Sequence, residues 1–444
     1  MLALAVVAAT AGAPRANPAG EVASARYPGI DEHLHLSSEL TYEVTTAEVT
    51  RETVGDPAAD PLAPLPLRDE LRFRQVRTVF TPRLELGLSR GVWLSAALPL
   101  VVSQTRELTL APGADRAGLT TVGDGLVGAD GFDAQAPASA PGGDVLFRGV
   151  RRRGLTQVHA GFGVAPLDQG RDPTKPTWKL GAELRLAVGR VMRFSAADPA
   201  SETGASTGVH ELRVWTSFDR RFRHVEGWLE VSWQRPLYAR TASLFADPGY
   251  GATRTDPGQR AGATFGLEAT LAGADAGPDG VRLGLDVGAH LTAHFEGRDY
   301  SELWELFAYA GDPGRGGPLV LDADPVTPGV QALAHPGISN HEGYVDGGGQ
   351  AALRLHVGRL GELALTGALG WASEHAISFA DAGVDLPTCP TATPRCETED
   401  NDVVNAGTTE VNPLHSRRID LVGHRYRARA SRMIALGVEA RLRF

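Results

Sequence analysis

The chain has 444 residues, a hydrophobic fraction of 42% and a formal net charge of -10 at pH 7. Its mean hydropathy is -0.14, and it holds no internal run of 18 or more apolar residues. These values exclude a protein that crosses a membrane with helices. The negative charge argues against a nucleic-acid partner.

The beginning of the chain is apolar and made mostly of small residues. Residues 2–13 are typical of the core of a secretory signal, and residues 9–11 (Ala-Thr-Ala) form a small-residue cleavage motif. The run is too short to span a bilayer, and no basic stretch precedes it. We therefore expect export, with residues 1–16 as an approximate signal peptide and 17–31 as a short segment before the folded domain.

Apolar and polar residues alternate in twelve segments after residue 31, and this period of two is typical of β-strands with one apolar face. The predicted strands are 32–50, 71–89, 92–109, 153–166, 177–190, 207–220, 226–240, 259–272, 280–296, 343–358, 361–379 and 424–444. The segments that connect them alternate between short and long without exception. A soluble sandwich gives no reason for this sorting.

An even number of strands with alternating connections predicts an all-β fold, a transmembrane up-and-down antiparallel β-barrel of about 12 strands. Short turns would lie on the periplasmic side and long loops outside the cell, with 17–31 as an N-terminal periplasmic segment and 32–444 as one barrel domain. The last seven residues, Val438–Phe444, alternate and end on an aromatic residue. This ending resembles the final strand of a Gram-negative outer-membrane β-barrel, which implies the cell outer membrane and recognition by the barrel-assembly machinery through that strand.

Residue parity separates a lipid-facing row from a lumen-facing row in each strand. In the third strand Leu94, Leu98 and Leu100 share the predicted lipid face, whereas the opposite rows of several strands are charged. The candidate lumen-lining residues are Lys179, Glu183, Arg185, Glu211, Arg213, Arg282, Asp286, His290, Arg427, Arg429, Glu439 and Arg441. Opposed charges can pass small polar solutes, or they can pair and fill the interior. Both alternatives stay open.

Parity places Arg432 on the lipid face, where it requires a bulge or a position near the outer rim. Aromatic residues at strand ends predict interfacial girdles. Those expected at the outer interface are Tyr42, Tyr238, Phe295, Phe379 and Tyr426, and Trp178, Phe218 and Phe444 are expected at the inner one. Trp93 and Trp228 have the opposite parity and are expected at the lumen mouth.

The long loop 297–342 contains a predicted short helix within 301–310, which Ser301 can cap and which carries an apolar stripe. Folded inward, it would form a constriction or gate with Trp304, Phe307 and Tyr309 as the candidate residues. Folded outward, it would be a lid or contact surface. The sequence does not decide between these two positions.

Two further predictions concern the outer loops. Cys389 and Cys396 lie close together and are expected to form a disulfide, as an exported protein allows. Two arginine clusters lie at the expected level of lipopolysaccharide phosphates and indicate outer-membrane lipid and lipopolysaccharide as partners. The clusters are Arg148, Arg151, Arg152 and Arg153, and Arg417, Arg418 and Arg425.

Residues 335–342 (His-Pro-Gly-Ile-Ser-Asn-His-Glu) invite comparison with outer-membrane phospholipase A, which uses a His, a Ser and an Asn for acyl transfer. In that family one residue separates the His from the Ser, whereas three separate His335 from Ser339. A barrel-borne lipid-modifying enzyme is therefore the weaker alternative. We expect no enzyme activity, no cofactor and no metal site.

Residues 81–100 and 171–184 are similar to the hairpin, turn and strand of an outer-membrane family proposed to take part in uptake for phenol degradation. More loosely they resemble the long-chain fatty-acid and hydrocarbon-uptake channels. The resemblance implies transport and supplies no binding residues. The sequence thus predicts a passive channel or facilitator for an unidentified small solute, with a closed structural or surface-interaction barrel as the first alternative.

Overall fold

The computed structural model describes residues 24–27, 30–32, 34–54, 65–245, 257–273, 280–322, 332–358, 361–380 and 414–444. The predicted signal peptide and the predicted Cys389–Cys396 disulfide lie outside these residues. The two α-helices in the described residues are short, α1 at Thr120–Gly123 and α2 at Trp304–Ala310. No described helix is long and apolar enough to cross a bilayer.

Twelve long antiparallel strands form the wall of the molecule. They are β1 (Leu34–Glu52), β2 (Leu67–Ser89), β3 (Val92–Ala97 and Leu100–Leu110), β4 (Arg152–Leu155 and Val158–Leu167), β5 (Thr177–Leu186), β6 (Val209–Phe222), β7 (Val225–Ala239), β8 (Arg260–Ala272), β9 (Val281–His294), β10 (Tyr344–Val357), β11 (Gly361–Ala372) and β12 (Tyr426–Arg443). All twelve predicted strands are confirmed.

The wall closes on itself because β12 pairs with both β11 and β1. At the closure Leu436 lies opposite Tyr42, and the C-terminal Phe444 donates its backbone N–H to the carbonyl of Leu34 at 2.8 Å. Closure leaves no unpaired sheet edge in the hydrocarbon region, which a membrane-spanning sheet requires. The predicted sorting of connections is confirmed, since five short turns lie at the end of the wall that holds Leu34 and Phe444 and six long loops lie at the other.

The outer face of the wall is a belt of exposed apolar side chains, and the inner face is polar. Exposed residues of the belt include Leu36, Leu40, Leu84, Leu94, Leu98, Leu100, Val231, Phe265, Leu267, Val287, Leu291, Leu353, Leu365, Ile434, Leu436 and Val438. A belt of this kind is insoluble in water and fits a hydrocarbon layer. Trp178 and Phe218, which are expected in the aromatic girdle at the periplasmic interface, stack with ring centroids 5.7 Å apart.

A second group of apolar residues lies inside the outer end of the barrel, beyond the belt. It joins wall residues with α2 and the loops that fold inward around it. Its buried members include Val49, Leu71, Phe73, Leu108, Leu126, Phe147, Leu303, Leu306, Phe307, Tyr309, Phe379, Ile419 and Tyr426. The wall thus extends beyond the bilayer as a cup, and the cup contains the larger apolar core.

The remaining elements are short and belong mostly to the long loops. The small strands are Ser24–Tyr27, Ile30–Glu32, Phe132–Asp133, Val145–Arg148, Gly297–Asp299, Leu321–Asp322, Ala332–Leu333, Ser339–His341 and His375–Ser378, and the 3-10 helices are Arg116–Gly118, Pro199–Ser201 and Pro313–Arg315. Several of them pair with the outer ends of wall strands. His375–Ser378 pairs with β12, for example, and so extends the wall of the cup.

Candidate functional site: the lumen and its plug

Charged residues line the lumen at the level of the belt. Ten of the predicted lumen-lining residues lie on the inner face: Lys179, Glu183, Arg185, Glu211, Arg213, Arg282, Asp286, His290, Glu439 and Arg441. Five of them, Lys179, Glu183, Arg185, Asp286 and His290, are buried, and each lies near a side chain of opposite or complementary charge. The lumen is therefore charged at the level of the belt.

Arg427 and Arg429 differ from this prediction, because the structure places them on the outer face of the wall. The pairing of β12 with β1 shifts between Arg429 and Arg432, and Ala430 has a φ of 49° at that point. Such a bulge reverses the parity of the strand beyond it. Tyr426 and Ala428 consequently point inward, while Arg429 pairs with the exposed Asp69 at 2.7 Å.

One ion-pair network lines the lumen along neighbouring strands of the wall, near the periplasmic end. The buried Arg354 of β10 reaches Glu362 of β11 at 2.5 Å and lies 3.8 Å from Asp286 and 3.7 Å from Glu268. Arg443 of β12 also bonds Glu362, at 2.8 Å. These contacts join five consecutive strands, from β8 to β12, through side chains alone. Removal of one member would leave a buried charge without its partner.

A second network lies on the opposite side of the lumen and retains access to water. Glu183 of β5 bonds Arg185 at 2.8 Å and lies 3.4 Å from Arg83 of β2. Arg83 and its partner Glu85 keep 17% and 19% of their side chains exposed. The solvated part of the lumen therefore contains charges of both signs.

Three lumen tryptophans lie flat on glycines of neighbouring strands. Trp93 covers Gly163, Trp215 covers Gly181, and Trp228 covers Gly266 and Gly288. A Cβ added to Gly163 would lie 2.2 Å from the Trp93 ring. The glycines thus let large aromatic rings lie along the wall, so that these rings do not project across the lumen.

The predicted helix in the loop 297–342 folds inward and closes the outer end of the lumen. Every residue of α2 is buried, and Trp304 and Phe307 have no exposed surface. Phe307 makes edge-to-face contacts with Phe379 at 4.9 Å and with the wall residue Tyr426 at 5.9 Å, measured between ring centroids. We call Leu303–Ala310 the plug. The structure thereby decides between the inward and outward positions that the sequence left open.

An ion pair with almost no solvent access holds the plug to the wall. Arg152 donates to Glu305 at 2.6 Å, and the two side chains are 1% and 5% exposed. Arg152 also donates to the backbone carbonyls of Glu202 and Gly204, and its guanidinium lies 4.8 Å from the centroid of Trp304. The sequence predicts Arg152 in a phosphate-binding rim cluster. Its burial beneath the plug rules out that role.

A second contact joins the start of the plug to the strand segment beside β12. His375 lies 3.8 Å from Glu302. Burial alone would raise the pKa of Glu302, but the nearby His375 more than offsets it and holds this pKa at about 2. Burial would likewise lower the pKa of His375, and Glu302 raises it above its ordinary value. Each residue therefore favours the charged form of the other.

Phe379 and Tyr426 belong to the plug core, contrary to their predicted place in the outer aromatic girdle. Tyr426 faces inward because of the bulge at Ala430, and its hydroxyl bonds Thr121 at 2.8 Å. Tyr42, Tyr238 and Phe295 are exposed on the outer face as expected. Trp93 and Trp228 face the lumen, in agreement with their parity.

His335 and Ser339 do not form an acyl-transfer pair. His335 accepts a hydrogen bond from the backbone N–H of Gly337 at its Nδ1, at 2.9 Å, and its ring packs on Phe379 at 4.2 Å. Burial lowers the pKa of His335 to about 3. Ser339 is fully buried, and no hydrogen bond to its hydroxyl exists among the described residues. Both residues pack beneath the plug.

No protein-family model and no curated protein matches the chain. Among solved structures, an outer-membrane channel from Pseudomonas putida F1 is similar with a TM-score of 0.40 and 9% identity, over 96% of this chain and 100% of that chain. A Pseudomonas aeruginosa FadL homologue is similar with a TM-score of 0.32 and 9% identity, over 93% of this chain and 90% of that chain. The outer-membrane protease OmpT from Escherichia coli is similar with a TM-score of 0.28 and 6% identity, over 93% of this chain and 97% of that chain. At these scores the likenesses carry no argument about function.

The location of the protein follows from its own surface. A closed wall of twelve antiparallel strands, an apolar belt and a polar lumen are together the features of bacterial outer-membrane barrels. Aromatic residues border the belt, as the two interfaces of a bilayer favour. The chain is an outer-membrane β-barrel with a charged lumen and an inward-folded plug.

Proposed function

We propose that the protein is a passive channel for small polar solutes and that the plug is its gate. The observation that carries the proposal is the separation of the two cores. The membrane-spanning lumen is charged and partly solvated, whereas the helix α2 that closes it belongs to a loop. A loop can leave the cup without breaking any hydrogen bond between wall strands.

The chemistry of the lumen supports polar solutes over apolar ones. Glu85, Arg83 and Glu183 form a row of alternating charges on the solvated side. Opposed charges across a narrow passage orient dipolar solutes and favour solutes that can replace the lost water contacts. An apolar solute would have to desolvate these groups with no compensation.

A specific observation also supports the alternative of a closed structural barrel. The network around Arg354 lines the lumen near its periplasmic end, and several of its carboxylates are fully or almost fully buried. If the side chains of this network pack as densely as a protein interior, the lumen would stay closed to solutes even after release of the plug. The two functions therefore differ in what lies beneath the plug.

Conductance in planar bilayers separates the two. We expect the intact protein to show rare openings, and a variant in which residues 303–310 are replaced by a glycine-serine linker to conduct continuously. The matched control is Phe265→Ala, which truncates a ring half exposed to lipid on β8. A stably inserted linker variant without ion current would refute the channel and favour the closed barrel.

The expected lack of enzyme activity stays a prediction. Ser339 is the serine of the only segment that resembles a lipid-modifying site, and the structure gives it no partner base in the described residues. The purified barrel and its Ser339→Ala variant should release no fatty acid from phospholipid vesicles. Hydrolysis that Ser339→Ala abolishes would contradict this expectation.

A further inference from the structure

Two outward-facing arginines, Arg432 and Arg74, lie one step above the apolar belt at the seam where the barrel closes. Arg432 is opposite Thr46, and Thr46 is opposite Arg74, so the three residues form one row across β12, β1 and β2. The row immediately below consists of Ile434, Val44 and Val76. The surface thus changes from apolar to basic within two residues of each strand.

The level of this row is that of the lipid headgroups. Trp371 of β11 lies opposite Arg432 in the same row and is 48% exposed. Exposed tryptophan at the upper edge of an apolar belt marks the interface between hydrocarbon and water. This end of the barrel carries the long loops, so the headgroups at this level are those of the outer leaflet.

The charges of the row are available to a ligand. Arg432 is exposed and has no carboxylate partner among the described residues, and Arg74 is half exposed with one partner, Glu107, at 3.3 Å. In the next row outward, Arg72 is exposed, whereas Arg429 is already paired with Glu48 and Asp69. The row nearest the belt therefore has an excess of positive charge.

The bulge that places Arg429 on the outer face of the wall has a structural cost. Ala430 adopts a φ of 49°, which a residue other than glycine rarely takes. Because the parity of β12 changes there, Arg427, Arg429 and Arg432 all point outward, although strict alternation cannot place 429 and 432 on one face. The bulge thus brings these arginines to one face of the wall.

We propose that Arg432 and Arg74, on either side of Thr46, form a binding site for a phosphate group of an outer-leaflet glycolipid. Neighbouring strands lie about 4.8 Å apart, so the two arginine backbones are separated by about 10 Å. Two extended side chains can span this distance and donate to one phosphate from both sides. The Thr46 hydroxyl donates to the backbone carbonyl of Arg432 at 3.5 Å. The bound lipid would bridge the first and last wall strands.

Lipid titration of the refolded full-length barrel in detergent tests the site, with native mass spectrometry as the readout. Bisphosphorylated lipid A should bind the double variant Arg74→Ala/Arg432→Ala about tenfold more weakly than the wild type. The control Arg90→Ala/Arg223→Ala, which removes two exposed arginines of the periplasmic turns, should bind like the wild type. The double variant Arg74→Lys/Arg432→Lys should fall in between, because lysine keeps the charge without the bidentate geometry.

Three results would overturn the proposal. The first is a double alanine variant that binds lipid A within about twofold of the wild type. The second is a wild-type protein that binds dephosphorylated lipid A as tightly as bisphosphorylated lipid A. The third is a wild-type protein that binds phosphatidylglycerol as tightly as lipid A, which would indicate a general anionic-lipid surface. Free inorganic phosphate should not displace the lipid at equal concentration. If the double variant fails to fold, the single variant Arg432→Gln, expected to weaken binding about threefold, serves instead.

Discussion

Truncation of one fully buried ring should release the plug while leaving the barrel folded. Phe307 has no exposed surface, and it contacts Phe379 and Tyr426 edge to face. Phe→Ala changes at such sites cost about 3–5 kcal/mol through lost burial and the cavity left behind. The wall ladder is untouched by this change, so the cost falls on the docking of α2 and not on the strands.

The magnitude predicts a large shift in the open population. A cost of about 3–5 kcal/mol raises the undocked fraction by roughly 10²-fold to 4 × 10³-fold, since each 1.4 kcal/mol is about a factor of ten. Hydrogen exchange reports this directly, because the amides of Phe307 and Gly311 bond the carbonyls of Leu303 and Phe307 at 2.9 Å. We expect exchange at these amides in Phe307→Ala to accelerate by a comparable factor.

The control for this experiment is Phe265→Ala, whose ring faces lipid and not the plug. It should leave exchange at Phe307 and Gly311 unchanged, and both variants should keep the heat-resistant mobility of a folded barrel on gels. Unchanged exchange at the plug amides in Phe307→Ala would refute the reasoning. Global loss of wall protection would refute it too, because plug and wall would then unfold as one unit.

Arg152→Ala should loosen the plug by about 3–5 kcal/mol, because it leaves Glu305 buried without its partner, and adding Glu305→Gln should restore part of the protease resistance of the plug. Acid should also loosen the plug. The pKa of His335 is about 3 when the plug is docked, and its ordinary value is 6.5. Between these two pH values the undocked state binds a proton that the docked state does not. The His335 contribution to docking is complete above pH 6.5, and it is lost progressively as the pH falls from 6.5 towards 3, by an amount on the order of 5 kcal/mol. Trp304 fluorescence against pH should show this loss and should flatten in His335→Asn. Gly163→Val should lower the refolding yield and the unfolding midpoint, because the added carbons collide with the Trp93 ring. A variant as stable as the wild type would contradict the close contact between Gly163 and Trp93.

The wall could be predicted from sequence because its determinants are local. A period of two over ten or more residues specifies both the strand and its faces, and the turn between Ser89 and Val92 fixes one hairpin register. The five short turns and six long loops then determine which end is which. Leu94 and Leu98 lie on the lipid face for the same local reason.

The bulge and the plug could not be predicted in this way. Nothing in the residues around Ala430 distinguishes a positive φ from a regular strand, yet that one residue reverses the faces of Arg427, Arg429 and Tyr426. The inward position of α2 depends on long-range contacts with Phe379. One local signal was available: the lumen-facing row of β1 changes from Glu43 to Ala47 and Val49, which indicates an apolar occupant above the polar lumen.

The separation of the two cores explains how this barrel can be rigid in the membrane and yet open at its outer end. In the belt, the wall is stabilised by lipid contact outside and by the Arg354 network inside, and neither depends on the plug. In the cup, lipid is absent, and stability comes from the burial of Phe307 and its neighbours. Undocking of the plug therefore exposes apolar surface to water but breaks no wall pairing. The plug should consequently open on its own, with a free energy set by a few aromatic contacts and the Arg152–Glu305 pair.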